Sequence, residues 1–169
     1  MKYIKHAVIL FFLAAPVFAQ DSSGTITGTL EFDEARWGIT SVDAGPETMF
    51  EQGETDTQIL LVGTPDGSDE GGPGTLIIDI AAATGATEAV VTEVRMELMR
   101  ENGRLFAENA NIDLTLEAYE LTGDALVVAG SFTATLTPTA RDGLVATPGD
   151  GMPFSGEFQA TIRGNTQPD

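Results

Sequence analysis

The sequence predicts an all-β protein, an antiparallel β-sandwich of about eight to ten strands with connections of the Greek-key kind. A small closed β-barrel is the alternative arrangement of the same strands. Three observations predict this class: apolar and polar residues alternate with period two, turn dipeptides separate the alternating runs, and one strand pattern occurs twice near the end of the chain. Two longer connections, residues 43–56 and 137–153, are typical of crossovers between distant strands.

The first alternating run, residues 25–32, has one apolar face, which we expect in the core, and one polar face rich in threonine. The pattern resumes at Trp37 and Ile39, after a short turn that we expect at Asp33 and Glu34. Trp37 is therefore predicted to fill the core. The apolar face of the first run consists of Ile26, Gly28, Leu30 and Phe32.

The central part of the chain predicts three further strands. Residues 58–62 are apolar on both faces, as in an interior strand, and alternation resumes over residues 76–80. Residues 87–100 fit either a helix or a strand. The Asn-Gly dipeptide that follows them favours a strand that enters a two-residue hairpin. Met49 and Phe50, inside an acidic connection, are expected to plug one open end of the sandwich.

Strict alternation continues over residues 112–119, which predicts that Ala118 faces the core and that Tyr119 faces solvent. Turn dipeptides follow at Gly123-Asp124 and at Asp142-Gly143. These signals divide the second half of the chain into strands of uneven length.

A near-repeat is the clearest internal pattern. Residues 130–136 (Gly-Ser-Phe-Thr-Ala-Thr-Leu) match residues 156–162 (Gly-Glu-Phe-Gln-Ala-Thr-Ile) at four of seven positions, with Leu against Ile as a conservative fifth. In each copy Gly, Phe, Ala and Leu or Ile lie on one face. We expect two adjacent core strands that bury equivalent phenylalanines. The spacing is not sustained elsewhere, which excludes a solenoid or a propeller.

The first nineteen residues have the pattern of a secretory signal peptide. Lys2 and Lys5 form a basic start, residues 7–15 are apolar, and a small-residue site ends at Ala19. The apolar part is too short to span a membrane. We expect cleavage after Ala19 and a soluble periplasmic or secreted protein, which is not a lipoprotein because the chain has no cysteine.

Residues 20–169 are expected to form a single acidic domain, since a chain of this size can bury a core without disulfides. Cleavage removes both lysines and leaves six arginines against 26 acidic residues, a net charge of −20. This charge repels nucleic-acid phosphates and anionic membranes, so we expect no nucleic-acid partner and no membrane insertion. A basic protein or a divalent cation is the partner that the charge favours.

The mature chain lacks Lys, His and Cys, which excludes several classes of catalysis. Serine–histidine triads, cysteine nucleophiles, Schiff-base lysines and the usual zinc and copper sites each need a side chain that is absent. Carboxylate pairs could hydrolyse glycosides, but 26 acids form such pairs by chance, and no convergent acid–base group can be identified. We therefore expect a protein that is not an enzyme.

Calcium is the cation for which the sequence offers a candidate site. Asp66, Asp69 and Glu70 lie in a glycine-rich loop over residues 64–74, and Ca²⁺ prefers carboxylate and carbonyl oxygens. The EF-hand template fails because its twelfth position falls on Ile77, where a bidentate glutamate is required. The competing interpretation is an acidic surface loop between two strands.

These observations predict an exported, non-enzymatic acidic β-sandwich, a binding or interaction module of the bacterial envelope. Two alternatives remain open at the level of sequence. One is a barrel that carries a small apolar ligand, and the other is a Ca²⁺-dependent structural or adhesive domain. No cofactor other than Ca²⁺ is expected.

Overall fold

The structure, a computed structural model, describes residues 23–40, 47–66, 72–83, 89–101, 103–138 and 151–164. Within these ranges every ladder between strands is antiparallel, which confirms the predicted all-β class. No helix in them is long and apolar enough to cross a membrane. The strands are β1 (Ser23–Leu30), β2 (Asp33–Thr40), β3 (Met49–Gln52), β4 (Asp56–Pro65), β5 (Thr75–Ala83), β6 (Val90–Arg100), β7 (Gly103–Glu108), β8 (Ile112–Thr122), β9 (Ala125–Pro138) and β10 (Met152–Arg163).

All ten strands belong to one sheet, and eight of them pair in a closed circuit, β1-β2-β4-β5-β6-β7-β9-β10 and back to β1. Two junctions of the circuit are short: β2 meets β4 through three residue pairs, and β7 meets β9 through two. Longer ladders on either side of these junctions form two halves, β2-β1-β10-β9-β8 and β3-β4-β5-β6-β7. The sheet is therefore barrel-like in its closed pairing and sandwich-like in its two halves.

One contiguous cluster of buried apolar side chains lies inside the circuit. Trp37 is fully buried, and its ring packs edge-on against Phe154 with centroids 5.6 Å apart. Phe154 also packs against Phe132, at 4.8 Å. Edge-to-face contacts of this kind add to the free energy gained from burial alone. The prediction that Trp37 fills the core is confirmed. The aliphatic members include Ile26, Leu61, Leu76, Ile78, Ile80, Met96, Leu98, Leu126, Val128 and Ile162.

The predicted connection at residues 43–56 contains a strand, β3, which the sequence analysis did not predict. Four residues pair with β4, from Met49 opposite Leu60 to Gln52 opposite Thr57. Phe50 is buried in the core, as expected for a plug, whereas Met49 remains 37% exposed. Short strands with mixed polarity give little periodic signal, so tertiary pairing decides their structure.

The turn between β1 and β2 lies two residues earlier than predicted. Leu30 pairs with Asp33, so Glu31 and Phe32 form the turn, and Phe32 is 94% exposed instead of buried. Glu31 adopts a left-handed φ of 60° and donates its N–H to the carbonyl of Pro153 over 2.8 Å. The β1–β10 ladder ends at Leu30 opposite Phe154, and the left-handed conformation of Glu31 begins the reversal that leaves Phe32 at the hairpin tip.

The other described turn signals mark real hairpins, one of them displaced. Residues 90–100 form the predicted strand and enter a two-residue hairpin, but Gly103 already belongs to β7 and pairs with Arg100, so the connection lies one residue earlier than the Asn102-Gly103 signal. Thr122 pairs with Ala125 across the Gly123-Asp124 turn. The Asp142-Gly143 signal lies outside the described residues, as does most of the connection that contains it.

A β-bulge in β8 reverses the predicted orientation of Tyr119. The pairing with β9 shifts between Leu116 and Ala118, so Glu117 is an extra residue in β8. Beyond it Tyr119 lies opposite the buried Val128, and its hydroxyl hydrogen-bonds the Thr57 hydroxyl at 2.8 Å. Simple alternation cannot reveal a bulge, because one inserted residue exchanges the two faces of the strand.

The near-repeat forms the β9–β10 pair, and its two copies complement each other. In the antiparallel register Gly130 lies opposite Phe158, and Phe132 lies opposite Gly156. Each glycine therefore leaves room for the ring on the neighbouring strand. A Cβ atom on Gly156 would lie 2.9 Å from the Phe132 ring and 2.3 Å from the Thr27 carbonyl oxygen. The predicted pair of adjacent strands with buried phenylalanines is confirmed.

Gly156→Ala should destabilise the protein by about 2–4 kcal/mol, because the new methyl group has to displace both a backbone carbonyl and a buried ring. Urea unfolding measures the change. Gly38→Ala is the matched control, since its nearest neighbour would be the flexible carboxylate of Asp66 at 3.3 Å. Equal stability of the two variants would contradict the close strand approach.

Tyr119→Phe should cost about 1–2 kcal/mol, because it leaves the buried Thr57 hydroxyl without this partner. Thr57→Val in the same chain should recover much of the loss, since both polar partners are then gone. A double-mutant cycle in urea measures the coupling between them. Additive effects of the two substitutions would show that Tyr119 points outward, as plain alternation predicts.

Candidate functional site

An open groove of about 770 Å³ crosses the outer face of β2, β1, β10 and β9. It is a shallow surface that is wide open to solvent, not an enclosed cavity. Most of its polar side chains belong to residues that alternate with core residues along their strands, so the same period-two pattern builds both the core and the groove. The lining residues are Thr27, Gly28, Thr29, Glu34, Ala35, Arg36, Ser131, Phe132, Ser155, Gly156 and Glu157.

The strand register arranges the polar lining residues in two cross-strand rows. The first row runs through Arg36, Thr27, Glu157 and Ser131, one residue from each of the four strands. The second row runs through Glu34, Thr29 and Ser155. Neighbours in a row are about 5 Å apart, which is the spacing between paired strands. The groove therefore presents a regular array of hydroxyl and carboxylate groups on rigid backbone.

Two glycines bring the backbones of β1 and β10 close together at the groove. Gly28 pairs with Gly156, and a Cβ on Gly28 would lie 2.6 Å from the carbonyl oxygen of Ser155. No larger residue fits at this pair without displacing the neighbouring strand. The same close approach that accommodates the core phenylalanines thus sets the form of the outer surface.

Arg36 is the one basic residue of the groove lining, and it is bound to Asp66 just after β4. Its Nε atom lies 3.0 Å from Asp66 Oδ2, and its carbonyl accepts the N–H of Asp66 at 3.0 Å. Both side chains are more than half exposed, so the pair adds about 1 kcal/mol or less to stability. It does partly neutralise the one guanidinium of the groove lining.

The calcium candidates are only partly within the described structure. Asp66 is bound to Arg36, as above, while Asp69 and Glu70 lie outside the described residues. In the described ranges no three Asp, Glu, His or Cys residues form a group that could hold a metal ion. Calcium ligation by Asp66, Asp69 and Glu70 stays a prediction.

The far end of the same loop is attached to β2 and β6. Trp37 donates its indole N–H to the carbonyl of Gly74 over 2.7 Å, and Arg100 donates Nε–H to the carbonyl of Pro73 over 3.2 Å. Gly74 has a φ of +91°, and a Cβ there would meet the Met99 carbonyl at 2.2 Å. Residues on both sides of the loop are therefore bound to consecutive residues of β2, Arg36 and Trp37.

Sequence reasoning missed the groove. The outward Thr-x-Thr-x-Thr run of β1 was visible, and the near-repeat indicated that β9 and β10 are neighbours. The position of β1 beside β10 was not visible, because these strands come from opposite ends of the chain. A site made by strands distant in sequence has no local motif.

No family model, curated protein or solved structure matches this chain. The inference of function therefore rests on the geometry and chemistry of the described residues.

Thermal melting in Ca²⁺, compared with the same concentration of Mg²⁺, tests the calcium prediction. Ligand binding to the folded state raises the midpoint by mass action. If Asp66 is a ligand, Asp66→Asn should abolish a calcium-specific rise, whereas Asp33→Asn, an exposed acid in the β1–β2 hairpin, should preserve it. Identical midpoints in the two cations would contradict calcium ligation.

Proposed function

We propose that the protein is an exported, non-enzymatic binding module that holds a neutral, hydroxyl-rich ligand of the oligosaccharide class in the groove on β2, β1, β10 and β9. The observation that carries the proposal is the pair of cross-strand rows, which places four hydroxyl groups and two carboxylates on one rigid surface. The signal-peptide pattern of residues 1–19 supports export to the periplasm or the medium.

The ligand class follows from the polar groups in the groove. Hydroxyls of Thr27, Thr29, Ser131 and Ser155 both donate and accept hydrogen bonds, and the carboxylates accept them. A polyol offers the complementary donors and acceptors at comparable spacing. Anionic ligands are disfavoured because the whole chain carries a formal charge of −18.

Binding in this groove should be weak and enthalpic. Phe132 is the aromatic residue of the lining, but it is only 3% exposed and its ring packs in the core. Hydrogen bonds to water compete with each contact, so individual bonds contribute about 1 kcal/mol. A Kd of about 0.1–1 mM, typical of a few net hydrogen bonds, is the expected range.

The composition supports a binding role over a catalytic one. A mature chain without His, Lys or Cys has carboxylates as its general acids and bases. The two groove carboxylates, Glu34 and Glu157, lie on strands that are separated by β1. We propose that they orient a ligand by accepting hydrogen bonds.

The alternative of a barrel that carries an apolar ligand would place the ligand inside the circuit. The ring of Phe154 contacts those of Trp37 and Phe132 there, at centroid distances of 5.6 and 4.8 Å. Because these side chains occupy the middle of the core, we assign ligand binding to the outer groove.

Glu157→Ala should raise the Kd of a bound oligosaccharide by about tenfold, because it removes an acceptor from the middle of the first row. A glycan array followed by isothermal titration of the best oligosaccharide measures the effect. Gln159→Ala is the matched control, since Gln159 lies two residues further along the same exposed face of β10 and outside the groove lining.

Two outcomes would contradict the proposal. One is the absence of any oligosaccharide that binds the wild-type protein and loses affinity in Glu157→Ala. The other is turnover of the bound oligosaccharide by the purified protein, which would make the groove an active site. Binding should also change less than twofold between about 0.05 and 0.5 M NaCl, because a neutral ligand has no charge to screen.

A further inference from the structure

We infer that the free edge of β8 accepts an extended, basic segment of a partner protein as an additional strand of the sheet. This site is distinct from the groove, to which β8 contributes no lining residue, although the neighbouring strand β9 contributes two.

β8 is the last strand in its half of the sheet. Among the described residues it forms a ladder with β9 alone, over Ile112 to Thr122. β6 pairs with β7 as far as Arg95 opposite Glu108; it also approaches β8, but in the described residues the two strands form no ladder. An edge strand presents backbone N–H and C=O groups that a further strand can bind.

The inner face of β8 is only half covered. Leu114, Leu116, Tyr119 and Leu121 pack against the core cluster but remain partly exposed. In the adjacent strand β9, by contrast, Leu126 and Val128 are fully buried. The apolar layer therefore ends in a strip that one more strand would cover.

The charges on the outer face of β8 favour an added strand that carries basic residues. Asp113, Glu117 and Glu120 are exposed there, and β8 contains no Lys or Arg. The paired strand β9 contains no charged residue at all, so no arginine lies directly opposite them on that side. Lys or Arg at alternate positions of an added strand would lie about 5 Å from these carboxylates.

The same charges disfavour a second copy of this chain as the added strand. Antiparallel pairing of β8 with its own copy would bring two sets of carboxylates together, and like charges on neighbouring strands destabilise the pairing. An alternating sequence of basic and apolar residues complements both faces of β8: the basic side chains meet the acids, and the apolar side chains cover the half-exposed leucines.

The experiment uses an eight-residue synthetic peptide in which Lys alternates with Val, titrated into the full protein. The largest changes in amide NMR shifts should fall on residues 114–122, with the groove residues unchanged. The triple variant Asp113→Asn, Glu117→Gln, Glu120→Gln should weaken binding about tenfold or more, because it removes three carboxylates next to the lysines. The matched control, with Glu31, Glu51 and Glu101 each changed to Gln, removes three exposed acids elsewhere and should change the affinity less than twofold.

Backbone pairing is tested separately, by N-methylation of either the four lysines or the four valines of the peptide. A strand uses alternate N–H groups on each edge. The methylated peptide whose blocked N–H groups face β8 should bind at least about tenfold more weakly than the parent peptide. The other methylated peptide should bind more tightly than the first, because its blocked N–H groups face away from β8. Equal affinity of the parent and both methylated peptides would overturn strand addition, since a purely electrostatic contact does not need the N–H groups.

Two further outcomes would overturn the inference. Shift changes scattered over the acidic surface would show attraction without a site. A dimer in sedimentation whose interface maps to β8 would show that a second copy occupies the edge. Failure of oligosaccharide binding leaves this test unaffected, because the β8 edge and the groove share no proposed ligand.

Discussion

The close contact between glycine and phenylalanine across β9 and β10 is the constraint on which the structure depends. Gly130 faces Phe158 and Phe132 faces Gly156, so each strand leaves the space that the other fills. A shift of the register by two residues would keep the apolar faces inward but would set Phe132 against Phe154 or against Phe158, according to its direction. The near-repeat therefore fixes the register of the longest ladder in the sheet, which contains twelve residue pairs.

That register determines what the outer surface presents. Because β1 continues the same close approach through Gly28 and Gly156, its threonines align with Ser155 and Glu157 in cross-strand rows. The core and the groove are thus two faces of one set of pairings. A substitution on the inner face can alter ligand binding without touching the groove, since a displaced backbone moves every side chain on the opposite face.

Much of the fold could be predicted from the sequence, because period two, turn dipeptides and a doubled strand pattern are local signals. The strand over residues 90–100, the Gly123-Asp124 turn, the burial of Trp37 and the pairing of β9 with β10 follow from them. The predictions were wrong where a single residue changes which side chains of a strand face the core. A bulge at Glu117 brought Tyr119 inward, and an early turn left Phe32 at a hairpin tip.

The candidate sites were harder to predict, for a physical reason. The groove requires β1 to lie beside β10, and the edge of β8 requires knowledge of which strands stay unpaired; both are properties of long-range pairing. The charge of the chain predicts acidic surfaces but not which acids are available to a ligand, since Asp66 is bound to Arg36. The amino-acid composition determines the overall electrostatic field of a protein, whereas the strand topology determines which charged residues lie on an accessible surface.

The two narrow junctions have a consequence for how the molecule comes apart. In the part of the chain that the structure describes, the halves are joined by three residue pairs between β2 and β4, two between β7 and β9, and a single bridge between Phe50 and Gly164. Hydrogen bonds within each half are far more numerous, so rupture under tension or partial denaturation should begin along these seams. The two halves would then separate from each other, and the aromatic side chains of the core would be the first to become exposed to water.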